Sequence, residues 1–217
     1  EWDNLKPQLI WRGTDFNYLN LVLKPRLKMP FDASIGKLIE ERKSAYADDD
    51  QQGKKATVDV LRGKYDELLP RWKGVVMTAE AELEAADGDI PWANIKFAAQ
   101  SARADKHKKF AEVGVAVGRY MSPEDQASYK YHIDIAGGGG TTWTGTSSKL
   151  PMEGLLFHHI TPTLDYFHNR LKPYVHYVPV SPDLSDLRDK YDWAESNPLI
   201  AKEISDRASE FMRYLGT

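Results

Sequence analysis

The segment Ile133-Asp134-Ile135-Ala136-Gly137-Gly138-Gly139-Gly140-Thr141-Thr142-Trp143 is where residue type and spacing best fit a chemical task. An apolar strand that ends in glycines and opens a helix leaves backbone amides unshielded, so an anion can approach them closely. Thr141 and Thr142 add hydroxyls, and the helix dipole favours negative charge at that end. A diphosphate is the guest such a turn suits. The same glycines also suit a flexible turn that binds nothing, and the segment alone does not separate the two. It lacks the Gly-Lys-Ser/Thr ending of the nucleoside-triphosphatase loop and is no clean dinucleotide fingerprint.

A second candidate is Trp11-Arg12-Gly13-Thr14-Asp15, where an arginine at a strand end beside a glycine turn can reach a nucleotide's phosphates or base. An arginine in such a place is equally a partner in a surface ion pair. Third is Leu155-Leu156-Phe157-His158-His159. Adjacent strand residues point to opposite faces, so the two histidines cannot jointly hold one metal. One of them falls near the carboxyl edge of the sheet, where ligands of open α/β sheets bind, although a structural role serves either one. The metalloprotease helix motif and the serine-hydrolase elbow are absent, and metal or serine hydrolysis is not expected. With no cysteine, disulfides, thiolate metal sites and a cysteine nucleophile are excluded.

The elements that must position these residues can be read from pattern. Leu9-Ile10-Trp11 reads as a short buried strand, and 17–30 as loop with a short strand. Ser34 caps a helix over 35–47, and Val58, Leu61, Tyr65 and Leu68 recur at helical steps over 56–69. The run Gly74-Val75-Val76-Met77-Thr78-Ala79 has the look of a buried strand, followed by a surface helix or loop over 80–90 and a strand at 92–97. A helix is expected at 106–113. Ser122-Pro123-Glu124-Asp125 carries a cap, a first-turn proline and acids that complement the dipole. Beyond it lie strands at 129–136, 154–158 and 175–180, and helices at 142–152, 162–171, 184–196 and 199–215. Alternating strands and helices with short connections imply an α/β, Rossmann-like fold, a parallel sheet with helices on both faces.

Composition sets outer bounds. The chain has 217 residues, 41% apolar and 28% charged, the balance of an ordinary globular protein. A net charge of −3 argues against nucleic acid as main partner, and the Lys106-His107-Lys108-Lys109 patch reads as a solvated helix face. No apolar run reaches the ~18 residues of a bilayer span. The opening Glu1-Trp2-Asp3-Asn4 has neither the basic nor the apolar region of a targeting peptide and no initiator methionine, which suggests a processed precursor or part of a longer chain.

Lys130-Tyr131-His132-Ile133-Asp134, Gly154-Leu155-Leu156-Phe157, the stretch from Leu171 to Leu187 (LKPYVHYVPVSPDLSDL) and Trp193-Ala194-Glu195-Ser196-Asn197, in that series, resemble glycosyltransferase family 90. This is the family of protein O-glucosyltransferases and capsule-associated xylosyltransferases. Arg12-Gly13-Thr14 is similar to the family's Arg-Gly-Ser/Thr turn, and Gly-Gly-Thr-Thr-Trp-Thr-Gly-Thr to an algal or diatom-type branch. The resemblance is specific over about residues 125–215 and clear at 9–15.

The resemblance implies the donor-binding half of a two-domain GT-B enzyme, spanning 1–217 as a single domain with 99–120 a connecting segment. It implies a UDP-sugar (glucose or xylose) as co-substrate, no metal or other cofactor, and a protein or glycan hydroxyl as acceptor. By motif match, Arg12, Gly13, Thr14, Gly138, Gly139, Gly140, Thr141 and Thr142 would hold the uridine diphosphate. Many members carry an arginine just after the glycine turn where Thr142-Trp143-Thr144-Gly145 stands here, so Lys149 is the residue expected to supply that charge. The family's catalytic carboxylate lies upstream of the Arg-Gly turn, where only eleven residues precede Arg12. No catalytic residue is therefore named, and the acceptor half is expected in other sequence or on another chain. The resemblance places the protein in the lumen of the endoplasmic reticulum or Golgi. The competing expectation is a transferase-like module that has lost catalysis and serves as a binding or structural subunit of a larger assembly.

Overall fold

The apolar stretches of the sequence become the strands of a six-stranded parallel sheet flanked by helices. The computed structural model describes residues 1–14, 50–98, 115, 117–137, 142 and 144–215. The expected helices at 35–47 and 106–113, the short strand within 17–30, and Gly138, Gly139, Gly140 and Thr141 lie outside the described residues. The strands are β1 (Lys6–Gly13), β2 (Ala93–Ala98), β3 (Val117–Gly118), β4 (Tyr129–Asp134), β5 (Leu155–His159) and β6 (Val178–Val180). The described helices are α1 (Asp50–Arg62), α2 (Pro70–Glu84), α3 (Pro123–Ala127), α4 (Gly145–Lys149), α5 (Leu187–Ser196) and α6 (Pro198–Leu215). The strand order β3-β2-β1-β4-β5-β6 is that of the doubly wound Rossmann fold, as the alternating pattern implies. The chain divides into two compact units, Glu1–Trp11 with Met121–Thr217, and Arg12–Tyr120.

In the first unit, β4 and β5 are buried at every position from Tyr131 to Asp134 and from Leu155 to His159. Strands of a parallel sheet covered on both faces are buried on both sides, so the polar His132, Asp134, His158 and His159 are buried along with the apolar residues. Helix α6 buries Ala201, Ile204, Ser205 and Ala208, a stripe at three- and four-residue steps. Leu150, Leu156, Phe167, Leu171, Tyr177 and Ala208 close one core cluster, with Phe211, Met212 and Leu215 against it. Each buried leucine or phenylalanine there contributes about 2 kcal/mol from apolar burial. Helix α3 starts with a full capping box: Asp125 N donates to Ser122 Oγ at 3.1 Å, and Ser122 N to Asp125 Oδ2 at 3.3 Å.

In the second unit, β2 alternates, burying Ala93, Ile95 and Phe97. The run 74–79 is not a strand but the middle of α2. Pro70 occupies the first turn, where its missing N–H costs nothing, and Trp72, Val75, Val76 and Ala79 then fall on one buried face. A short apolar run in a doubly buried helix has no period that distinguishes it from a strand. Trp72 packs on Phe97 with ring centroids 5.0 Å apart, and Ile95 N donates to Thr78 Oγ1 at 2.7 Å. The helix expected over 162–171 is also corrected. Only His168–Arg170 makes a 3-10 turn, preceded by loop in which Phe167 alone is buried.

Candidate functional site

Parallel pairing sets Asp134 directly beside His158 at the carboxyl ends of β4 and β5. Paired residues of neighbouring strands share a face, so the register itself brings these side chains together. His158 Nδ1 lies 2.9 and 2.8 Å from the two oxygens of Asp134, which has no solvent exposure. A carboxylate only accepts, so the Nδ1 hydrogen is donated to Asp134 and the tautomer is fixed. His159 N donates to Asp134 Oδ1 at 3.3 Å, and Thr146 Oγ1 donates to Oδ2. The carboxylate thus joins β4, β5 and α4.

The rest of the network follows from donor counting. Because the Thr146 hydroxyl gives its hydrogen to Asp134, it accepts from Thr142 Oγ1 at 2.8 Å, and Thr142 Oγ1 in turn accepts from Thr146 N at 3.1 Å. His159 takes different partners from its neighbour. Its Nδ1 accepts from Ala136 N at 3.2 Å, so its Nε2 carries the hydrogen donated to Pro182 O at 2.9 Å. That ring ties the chain leaving β4 to the chain leaving β6.

Burial works against charging His158, but the Asp134 carboxylate and its hydrogen bond outweigh it and hold His158 above the usual histidine value. The His168 ring lies 4.7 Å away and the Tyr177 ring 5.1 Å. Burial, then the charge of His158, lowers His168. Burial, then Asp134, raises the Tyr177 hydroxyl.

Of the residues named from sequence, Thr142 and Lys149 come together in this unit. Lys149 is buried, and its Nζ curls back to 3.6 Å from where a Cβ on Gly145 would stand. That same Cβ would lie 2.9 Å from Thr142 Cβ, so the close approach of Thr142 requires glycine at 145. Arg12, Gly13 and Thr14 belong to the other unit. There Arg12 Nη1 donates to Asn94 O at 2.7 Å, Nη2 to Asn94 Oδ1 at 2.8 Å and Nε to Arg119 O at 3.1 Å. Thr14 O accepts from Arg71 Nη1 at 2.6 Å. Arg12 therefore spans carbonyls on β2 and beyond β3.

Sequence reasoning quoted Asp134 and His158 but did not pair them, and it did not single out Thr146. The strand-end positions in two apolar runs were the available signal; the register was missing. Among the described residues, no group of three His, Asp or Glu side chains could hold a metal ion, and no helix is long and apolar enough to cross a membrane.

The sequence model for glycosyl transferase family 90 matches residues 85–215, a span that contains β2 to β6. Protein O-glucosyltransferase 2 of Danio rerio is 33% identical over 99 residues, covering 44% of this chain and 19% of that protein. Protein O-glucosyltransferase 1 of Homo sapiens is 41% identical over 59 residues, covering 27% and 15%. An uncharacterized protein, 035R, of Invertebrate iridescent virus 3 is 32% identical over 118 residues, covering 51% and 10%. The chain thus spans less than a fifth of the length of each of these relatives.

Proposed function

The chain belongs to glycosyl transferase family 90, and from that membership we propose that it binds the UDP-sugar of a transferase that glycosylates a hydroxyl of a protein or glycan. In such a transfer the acceptor oxygen bonds to the anomeric carbon, the bond from that carbon to the diphosphate breaks, and UDP departs. The acceptor's proton passes to a base for which no residue of this chain is assigned. Donors placed at the diphosphate would stabilise the negative charge that develops on it. The family match over 85–215, which takes in the carboxyl ends of β4 and β5, is the observation that carries this reading. The names of the relatives point to glucose as the sugar, with xylose the alternative. The lumen of the endoplasmic reticulum or Golgi is the proposed compartment.

A second reading, a transferase-like module without catalysis inside a larger assembly, is favoured by the state of Arg12. Each of its three guanidinium nitrogens donates to a carbonyl oxygen of its own unit, as those of a structural arginine do. Calorimetric titration with UDP-glucose in the presence of a chelator tests both. Metal-independent binding that Arg12→Ala weakens without changing the melting temperature supports the donor reading. Absence of binding at millimolar ligand, with Arg12→Ala destabilising the fold, supports the structural one.

A further inference from the structure

We propose that His158 is a ligand-facing proton donor of this edge, presenting Nε2–H to the diphosphate of a UDP-sugar, with Asp134 as its positioning residue. The assignment rests on the donor reading above. Its geometry is independent of that reading: Nδ1 is committed to the two oxygens of Asp134 at 2.9 and 2.8 Å, so Nε2, across the ring, is the nitrogen left to face away from the carboxylate. The His158 side chain keeps 11% of its surface at the carboxyl end of β5, the edge where open α/β sheets receive ligands, while Asp134 keeps none.

Locking one nitrogen has a chemical consequence. A histidine with free rings can lose either proton and remain a donor on the other side. Here Nδ1 keeps its hydrogen, donated to Asp134, so deprotonation must come from Nε2 and turns a cationic donor into a neutral acceptor. Toward a diphosphate that change replaces attraction by lone-pair repulsion. The groups facing His158 are Asp134 from β4, Asp165 and His168 from the loop and 3-10 turn after β5, and Tyr177 ahead of β6. Both carboxylates favour the charged ring, and burial opposes it. The Asp134 carboxylate also takes the Thr146 hydroxyl, so the support of His158 and the placement of Thr142 share one anchor.

The test is UDP-glucose affinity by calorimetry at about pH 6 and at a pH above the raised His158 value, the diphosphate diester keeping its charge at both. Roughly ten-fold weaker binding at the higher pH is expected, the size of one charge-assisted hydrogen bond. His158→Gln should bind with the lower affinity at both pH values, although His168 is still present. Should that variant fail to fold, Asp134→Asn with a histidine NMR titration replaces it: the His158 titration should move to lower pH, and the loss of affinity should move with it. Wild-type affinity that is the same at both pH values, or a pH dependence that survives His158→Gln, overturns the assignment and leaves the donor reading standing. No binding at either pH overturns the donor reading and this assignment together.

Discussion

Adjacent strands of the sheet carry two buried histidines, His132 in the body of β4 and His158 at the end of β5, and their surroundings drive them apart. His132 has no exposure, and among the described residues neither of its ring nitrogens has a hydrogen-bond partner, although the backbone of Tyr129 and Glu153 comes close. Burial, reinforced by the positive charge of Lys149, pushes it down to about 4. His158 meets the same penalty, but a carboxylate in register with it reverses the outcome. Desolvation alone makes a histidine an inert packing group. One facing charge makes the same residue a proton carrier, and only the second kind can do chemistry at an edge open to ligands.

The largest effect should come from breaking the His132 side. Gly154 has φ +145, and a Cβ there would stand 2.6 Å from His132 Nε2 and 2.9 Å from Tyr129 O. Gly154 is pinned as well, its N and O both bonded to Ser205 Oγ at 3.1 and 3.0 Å. Gly154→Ala is expected to cost about 4 kcal/mol in urea unfolding, from overpacking plus backbone strain. Adding His132→Ala to that variant should not deepen the loss by the usual cost of a cavity, since the ring is part of the collision.

Next in size is acid lability. A histidine whose folded value lies below its unfolded one contributes stability that is complete above about pH 6.5 and disappears as pH falls toward the folded value. For His132 that window runs from about 6.5 down to about 4, with a total on the order of 3 kcal/mol. Stability measured across it should fall in the wild type and fall less in His132→Phe.

The His158 side has the opposite sign. Its folded value is raised, so its contribution is full below about pH 6.5 and is lost as pH rises through the folded value. Asp134→Asn should cost about 2 kcal/mol at about pH 6 and clearly less at about pH 9. An equal cost at both would mean that the pair is held by packing rather than by charge. The smallest effect is a control from the other unit, where Glu82 takes Lys54 and, at 2.5 Å, Lys96. Lys96→Met leaves Lys54 in place and should change stability by about 0.5 kcal/mol, alike at both pH values because no histidine takes part.

Much of the scaffold could be read from residue order. The cap at Ser122, the buried strands around Tyr131 and Phe157, and the two closing helices follow from turn chemistry and from apolar runs that only one packing satisfies. What failed did so for identifiable reasons. Residues 74–79 are apolar enough to be buried in either form, and the deciding mark was Pro70 at the helix start. Residues 162–171 have helical spacing but collapse onto the core through Phe167 and Leu171 without forming a helix. The site was harder because its central pair is a matter of register: no local pattern states that Asp134 stands beside His158, two dozen positions away in the chain. Gly138, Gly139 and Gly140 lie outside the described residues, whereas Gly145 and Gly154, which were given no role, are the ones whose missing side chains are used.

The pairing of Leu9 with Tyr131 also governs how the chain must assemble. On the ribosome, β1 emerges before β4 and cannot pair with it until the whole intervening unit has been synthesised. Throughout that interval Leu9, Ile10 and Trp11, all nearly or completely covered in the finished fold, lack that cover. Such delayed closure slows folding and exposes a sticky strand to other chains. A strand whose neighbour lies more than a hundred residues further along therefore needs protection from premature contacts until that neighbour arrives.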